Sequence, residues 1–229
     1  MLHFLEKITM ISKSLFLFTS FLVIYQFALT QSPSSRFDMS QWPKEQVKRA
    51  RDKANTHELC SAKEKDVIYY CNLVRINGPL FEKTILREFL EEYKFNIDTF
   101  YSNSLIQELK DLPVNVLPLF SYDETLFKAS KNYAIKGGKK GTIGHEGFDE
   151  RLQSISKNHY CVAENCSYGL GDAFDAFILL MIDEGIPSLG HRKNILKPEF
   201  VFASAAYAPH KSYRVNLVMN FACEEMKEN

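Results

Sequence analysis

The sequence predicts an α+β domain in which helices come first and the strands of a sheet come last. Two segments near the end, residues 200–207 and 213–221, are rich in Val, Phe, Tyr and Ala, and residues 209–212 separate them. This pattern is typical of two antiparallel strands joined by a turn. Hydrophobic residues make up 45% of the 229-residue chain, which is enough for a core. Helices that precede strands favour a layered α+β domain over a parallel α/β sheet.

The helices are predicted from the spacing of apolar residues and from their start and stop signals. Residues 62–76 carry an apolar stripe, residues 44–56 have little apolar face, and residues 172–183 are apolar on most sides. A Gly- and Lys-rich loop over residues 137–141 is expected to end the helix before it, and it lacks the pattern of a phosphate-binding loop. The predicted helices are residues 44–56, 62–76, 80–93, 102–112, 122–135 and 172–183, with a short extended segment at 116–120.

The N-terminus predicts an exported protein. Lys7 and Lys13 precede an apolar run over residues 14–29, which is the pattern of a secretory signal peptide in residues 1–30. An uncleaved anchor helix is the alternative, but the run is shorter than the roughly 20 apolar residues that span a bilayer. We therefore expect a secreted, extracellular chain with no stable membrane span after cleavage. Residues 31–61 are interpreted as a linker followed by the weak first helix.

The charge balance argues against a nucleic-acid partner. The chain has 28 Lys and Arg residues and 28 Asp and Glu residues. Proteins that bind nucleic acid through phosphate contacts carry a basic excess, and this chain has none.

Five cysteines leave the disulfide pairing open. Export implies an oxidising compartment in which disulfide bonds persist. Cys161 and Cys166 are close enough in sequence to close a small loop, and Cys60 with Cys71 is a second possibility unless both lie on one helix. Alternatively, Cys71 and Cys223 are simply buried apolar residues. The odd number leaves at least one thiol without an intramolecular partner.

Three short polar clusters within apolar sequence are the candidates for function. They contain His145, Glu164 and His191, and each histidine follows a glycine that leaves room for a ligand. Asp183 ends the most apolar helix, where an acid opposes the helix dipole, and Glu184 follows it. Imidazoles and carboxylates bind metals and move protons, so the clusters predict a shared site with two histidines and two acids. No Gly-x-Ser-x-Gly or His-Glu-x-x-His motif is present.

These clusters resemble the CAP superfamily, the SCP-like extracellular domain of cysteine-rich secretory proteins, antigen 5 and plant pathogenesis-related proteins. The resemblance covers roughly residues 62–223 and rests on several ordered motifs. They are Val116-Leu117-Pro118-Leu119, Gly144-His145-Glu146-Gly147-Phe148, Ala163-Glu164-Asn165-Cys166, Leu180-Met181-Ile182-Asp183-Glu184-Gly185, Gly190-His191-Arg192-Lys193-Asn194-Ile195-Leu196 and the terminal hairpin.

The resemblance implies a three-layer α–β–α sandwich with an N-terminal helical extension and a large central cleft. By position, His145 and His191 are the implied ligands of a divalent metal ion such as zinc, and Glu164 and Asp183 are the cleft acids, with Glu184 in reserve. The family often has Glu where this chain has Asp183. The segment from about residue 78 to 113 is longer than the link that usually joins the first helix of the family to the Pro-Leu stretch. It is interpreted as a helical insertion.

The resemblance favours a secreted, non-catalytic cleft that binds a divalent metal ion, a lipid, a sterol or a protein ligand. The alternative hypothesis is a metal- or His-assisted secreted protease. In that hypothesis Glu164 is the general base, His191 or a bound ion polarises a water or a carbonyl, and Ser188 is a remote candidate nucleophile.

Overall fold

The computed structural model describes residues 36–93 and 97–224. The predicted signal peptide, residues 1–30, lies outside the described residues. The chain divides into two units, Met1–Met39 and Ser40–Asn229, and all elements described below belong to the second. Every helix in the described part of the chain is too short or too polar to span a bilayer.

The helices follow the predicted segments closely, and three elements were not predicted. In chain order the elements are α1 (Lys44–Asn55), α2 (Ala62–Ile76), α3 (Gly78–Phe81), a π-helical turn (Glu82–Leu86), α4 (Arg87–Tyr93), α5 (Thr99–Asp111), α6 (Glu124–Lys140), α7 (Phe148–Ser156), β1 (Val162–Tyr168), α8 (Ala173–Ile182), α9 (Gly190–Leu196), β2 (Phe202–His210) and β3 (Arg214–Ala222). The unpredicted elements are α7, β1 and α9.

Capping residues explain why α2 has its predicted bounds. The Ser61 hydroxyl accepts a hydrogen bond from the Glu64 amide, and the Glu64 carboxylate accepts one from the Ser61 amide. This reciprocal capping box fixes the start of the helix. Asn77 ends α2 and also caps α3, and Pro79 lies in the first turn of α3. The predicted stop signal therefore separates two helices that follow each other directly.

The sheet has three antiparallel strands in the order β1-β3-β2. The predicted terminal hairpin is confirmed as β2 and β3, with Ser204 opposite Asn220. Strand β1 pairs with β3 on its other side and places Glu164 opposite Asn220 as well. Strand β1 was not predicted because it contains Glu164, Asn165 and Ser167 and lacks the apolar alternation of a half-buried strand.

Helices cover both faces of the sheet, which confirms the predicted α–β–α layering. Helix α6 packs on one face, where the Ser130 hydroxyl is 2.6 Å from that of Ser204 and the Asn216 amide donates to the Ala134 carbonyl. On the opposite face, α2 and α8 pack against each other. Helix α2 contacts β2, and α8 and α9 contact β1. The Asn165 amide, on this face, donates to the His191 carbonyl.

The predicted Gly- and Lys-rich loop over residues 137–141 is wrong, because α6 continues to Lys140. Two glycines lie inside its last turns because the terminal hairpin approaches them closely. A Cβ atom on Gly138 would lie 2.1 Å from the Pro209 carbonyl oxygen. Gly141, with φ of 81°, ends the helix in the left-handed conformation that glycine adopts at no steric cost.

The disulfide joins Cys161 to Cys223, so the proposed Cys161–Cys166 bridge is wrong. Register explains the difference. Val162 lies opposite Ala222, which brings Cys161 and Cys223 to the same end of the β1–β3 pair with Cα atoms 5.3 Å apart. Cys166 lies five residues further along an extended strand, which is roughly 16 Å and beyond the reach of a disulfide. Cys60, Cys71 and Cys166 are free and buried, so a Cys60–Cys71 bridge is absent.

Candidate functional site

The first candidate residues form a buried ion-pair cluster on the face of the sheet that α6 covers. Glu164 is on β1, and its side chain is 1% exposed. His145 Nδ1 lies 2.9 Å from Glu164 Oε1. Arg151, from α7, donates from Nη1 to Oε2 at 2.7 Å and from Nη2 to Oε1 at 3.0 Å. Bidentate pairing of this kind fixes a carboxylate in both position and orientation.

Two tyrosines hold the loop that carries His145. The Tyr133 hydroxyl, from α6, donates to the Gly144 carbonyl at 2.7 Å, and the Gly144 amide donates to the Tyr168 hydroxyl at 2.9 Å. Gly144 has φ of 83°, which favours glycine at this turn. The Arg151 guanidinium also stacks on the Tyr133 ring, 3.5 Å from its centroid. The His145 side chain is thereby anchored on one side and 48% exposed on the other.

The electrostatics of this cluster keep Glu164 ionised. Burial by itself raises the pKa of a carboxyl group, but hydrogen bonds from His145 and Arg151, together with their charges, outweigh burial and lower the pKa of Glu164. A carboxylate with a lowered pKa is a weak base. Glu164 is therefore built to accept hydrogen bonds and to hold cationic or polar partners in place.

The second candidate pair is His191 with Asp183. Asp183 Oδ1 lies 2.7 Å from His191 Nδ1, and the Asp183 side chain is fully buried. Asp183 Oδ2 accepts from the backbone amides of His191 and Arg192, the first turn of α9. An acid at the end of α8 is unfavourable for that helix but favourable at the start of the next. This accounts for the mismatch that the sequence showed at Asp183.

Asn165 connects the two pairs. It follows Glu164 on β1, so the two side chains leave the strand on opposite faces. The Asn165 amide donates to the His191 carbonyl at 3.0 Å, and its oxygen accepts from Asn194 at 2.8 Å. The structure thus arranges the four predicted residues as two imidazole–carboxylate pairs, and Asn165, next to Glu164 on β1, links the strand to the second pair.

The remaining predicted residues lie at the edge of this arrangement. Glu184, the reserve acid, is exposed and accepts a hydrogen bond from the Asp98 amide at 3.2 Å. Ser188 is exposed as well. Among the described residues, no hydrogen bond joins Ser188 to His191.

Two neighbours of Glu164 were not among the predicted site residues. Arg151 was not a candidate, and Cys166 was considered only for a disulfide and as part of a family motif. Cys166 Sγ lies 3.7 Å from Glu164 Oε1 and 3.9 Å from His145 Nδ1. Both Glu164 and Cys166 lie on β1, and residues two apart on a strand share a face. A prediction of β1 as a strand would therefore have placed Cys166 beside Glu164.

The donor groups fit a metal ion in a specific way. Both carboxylates are already occupied, Glu164 by His145 and Arg151 and Asp183 by His191 and two backbone amides. Each imidazole uses Nδ1 toward its carboxylate, and Nε2 of either ring makes no hydrogen bond within the described residues. A carboxylate that orients an imidazole through one nitrogen and leaves the other for a metal is the usual outer-shell arrangement at metal sites. Within the described residues, one group of three side chains has its possible ligand atoms within 4.8 Å: His145, Glu164 and Cys166.

Comparisons with known proteins find similarity at the level of structure. An outer surface protein of Borrelia burgdorferi matches 55% of this chain and 90% of its own, with 21% identity and a TM-score of 0.40. An extracellular protein with an SCP domain from Bacillus anthracis matches 57% of this chain with 17% identity and a TM-score of 0.39. A cysteine-rich secretory protein from Staphylococcus aureus matches 54% with 13% identity and a TM-score of 0.36.

The last two are described as members of the family that the sequence motifs resemble, and the match spans 41% and 36% of their lengths. No family model matches the chain. The comparison with curated proteins finds no match either.

Proposed function

We propose that this chain is a secreted, non-catalytic binding domain that holds a divalent cation, zinc above all, at the imidazoles of His145 and His191. The observation that carries the proposal is the pairing of each ring, through Nδ1, with a buried carboxylate. That pairing fixes the ring tautomer and leaves Nε2 as the metal-binding atom. Zinc accepts imidazole nitrogen readily and takes water at its remaining positions.

In this proposal Glu164 and Asp183 orient the histidines and do not themselves bind the ion. Each acid already accepts at least three hydrogen bonds, and a cation bound at Nε2 of the imidazoles leaves all of them in place. The shorter arm of Asp183, compared with the Glu common in the family, is therefore no obstacle. Its length suits the bonds to the backbone at the start of α9.

Secretion is part of the proposal and is supported by the Cys161–Cys223 disulfide, since such bonds persist in oxidising compartments. The lipid, sterol and protein ligands implied by the family resemblance stay predictions. So does the protease hypothesis, which no observation on this chain favours. Glu164, its proposed base, has a lowered pKa, and Ser188 makes no hydrogen bond to His191 among the described residues.

Zinc titration of the protein, followed by calorimetry, tests the proposal. We expect His145→Ala and His191→Ala each to weaken zinc binding by at least about tenfold, because loss of a ligand costs no less than loss of its outer-shell partner. Glu146→Gln is the matched control, since Glu146 is an exposed acid beside His145. Its affinity should stay within about twofold of the wild type.

Zinc affinity that survives both alanine substitutions would show that the proposal is wrong. The same preparations should be incubated with a peptide library. Cleavage that is lost in His191→Ala would establish the protease hypothesis instead.

A further inference from the structure

The thiol of Cys166 lies against the inner side of the His145–Glu164 pair. Its Sγ is 3.7 Å from Glu164 Oε1 and 3.9 Å from His145 Nδ1, while those two atoms are 2.9 Å apart. Cys166 is free, 8% exposed, and shares a face of β1 with Glu164. Three different metal-binding atoms therefore form one small triangle, and of the three side chains His145 is the exposed one, at 48%.

The size of this triangle matches that of a tetrahedral metal site. Bond lengths of about 2.0 Å to nitrogen or oxygen and about 2.3 Å to sulfur place ligand atoms roughly 3.3–3.5 Å apart. Each of the three observed distances is within about 0.4 Å of that spacing, so small side-chain adjustments suffice. The fourth position is left for a water molecule.

We propose that Cys166, His145 and Glu164 form a second metal-binding site, which is selective for thiophilic ions such as cadmium or zinc over hard ions such as magnesium or calcium. Thiolate is a soft ligand that selects such ions, whereas magnesium and calcium prefer all-oxygen sites. On binding, the S–H bond breaks, its proton leaves to solvent, and a metal–sulfur bond forms. The proton on His145 Nδ1 moves through solvent to Nε2, which frees Nδ1 as the ligand.

The neighbouring charges allow an ion here. The Arg151 guanidinium holds the far side of the carboxylate and opposes a cation. Burial raises the pKa of the Cys166 thiol, so the thiol is protonated until an ion displaces its proton. The carboxylate and the metal-bound thiolate then supply two negative charges against the one positive charge of Arg151. Arg151 also stacks on Tyr133, which keeps its cationic group on that side. The other free thiols, Cys60 and Cys71, belong to no such group within the described residues.

This site goes beyond the proposed function and can be tested separately from it, although both use His145. It uses Nδ1 of His145, whereas the cation proposed above uses Nε2 of both histidines. A ring bound through Nδ1 gives up its hydrogen bond to Glu164, so the two modes are alternatives for His145. Metal binding that is lost when Cys166 is substituted takes place at the thiolate site. Metal binding that is lost when His191 is substituted takes place at the site of the two imidazoles.

Cadmium titration of the protein, followed by the ultraviolet thiolate-to-cadmium charge-transfer band, tests the proposal. We expect one band that saturates at one ion per chain in the wild type and in His191→Ala. The band should be lost in Cys166→Ser and retained in Cys60→Ser, the matched control for a buried free thiol. Excess magnesium should not compete with cadmium.

A variant at an exposed position guards against misfolding in Cys166→Ser. His145→Asn should weaken cadmium binding by at least about tenfold while the metal-free variant still unfolds in one cooperative thermal transition. The proposal is overturned if the wild type shows no band, if Cys166→Ser keeps it, or if His145→Asn binds cadmium as the wild type does.

Discussion

At the scale of single residues, His57 is the side chain most clearly at odds with its surroundings. It is fully buried in the link that connects α1 to α2, and neither ring nitrogen has a hydrogen-bond partner. The Tyr122 ring packs edge-on against the imidazole, with the two ring centroids 5.3 Å apart. Burial, with a smaller contribution from the positive charges of Lys53 and Lys65, lowers the pKa of His57 from 6.5 to about 4. The folded protein therefore requires the neutral imidazole.

We predict that His57 makes the fold sensitive to acid. Its folded pKa is lower than its unfolded value, so the unfolded chain takes up the proton first and stability is lost as pH falls from about 6.5 toward 4. Between pH 7 and 4.5 this group should cost about 2 kcal/mol of unfolding free energy. Urea denaturation at both pH values measures it. His57→Leu should remove that part of the loss, whereas His145→Asn, at an exposed histidine, should not.

At the scale of elements, Arg192 joins α5 to the end of α8 and the start of α9, next to His191. Its guanidinium is fully buried and donates to the carbonyls of Met181 and Ile182 at the end of α8. It also bonds to Tyr101, Ser104 and Glu108 of α5. A structural role for α5 follows: it supplies the remaining hydrogen-bond partners of a buried cation.

We predict that Arg192→Met destabilises the protein by about 3 kcal/mol, because it leaves several buried carbonyl groups without donors. Glu108→Gln removes only the half-exposed partner, so it should cost less than about 1 kcal/mol. Urea denaturation gives both values. Limited proteolysis should show earlier cleavage within α5 in Arg192→Met alone. Equal effects of the two substitutions would contradict the assignment.

Element prediction succeeded where local signals agree and failed where tertiary contacts decide. The capping box of Ser61 and Glu64 lies within the sequence of α2, and the turn between β2 and β3 is equally local. Gly138 was interpreted as a helix terminator because its reason for being glycine, the Pro209 carbonyl, lies 71 residues later. Strand β1 was missed because its polar side chains are satisfied by partners from α7 and α9.

The same distinction holds for the candidate site. The types and positions of the imidazoles and acids were predicted from short motifs. Their arrangement as two separate pairs depends on the register of β1 and on the left-handed turn at Asp183, which motifs alone do not encode. The role of Arg151 as the second partner of Glu164 depends on the position of α7 against β1.

At the scale of the whole molecule, one covalent link ties the middle of the chain to its end. The Cys161–Cys223 disulfide closes a loop with a sequence separation of 62 residues, and this loop contains β1, α8, α9 and the terminal hairpin. By the chain-entropy model such a loop contributes about 4 kcal/mol, chiefly by restricting the unfolded chain.

We predict that the double variant Cys161→Ser/Cys223→Ser loses about 4 kcal/mol of unfolding free energy in urea. Reductant should destabilise the wild type by a similar amount and leave the double variant unchanged, because Cys60, Cys71 and Cys166 form no disulfide. Sensitivity of the double variant to reductant would reveal a different pairing.

The strand order β1-β3-β2 makes the strand that carries Glu164 an outer strand of the described sheet, laddered along one side only. The disulfide between Cys161 and Cys223 covalently links the start of β1 to the end of the central strand β3. The other end of β1, at Tyr168, has no covalent link to its neighbour. We therefore expect β1 to fray from Tyr168 toward the disulfide, so that Cys166 separates from β3 before Glu164 does. Amide hydrogen exchange in β1 should accordingly be fastest near Tyr168 and become slower toward Val162.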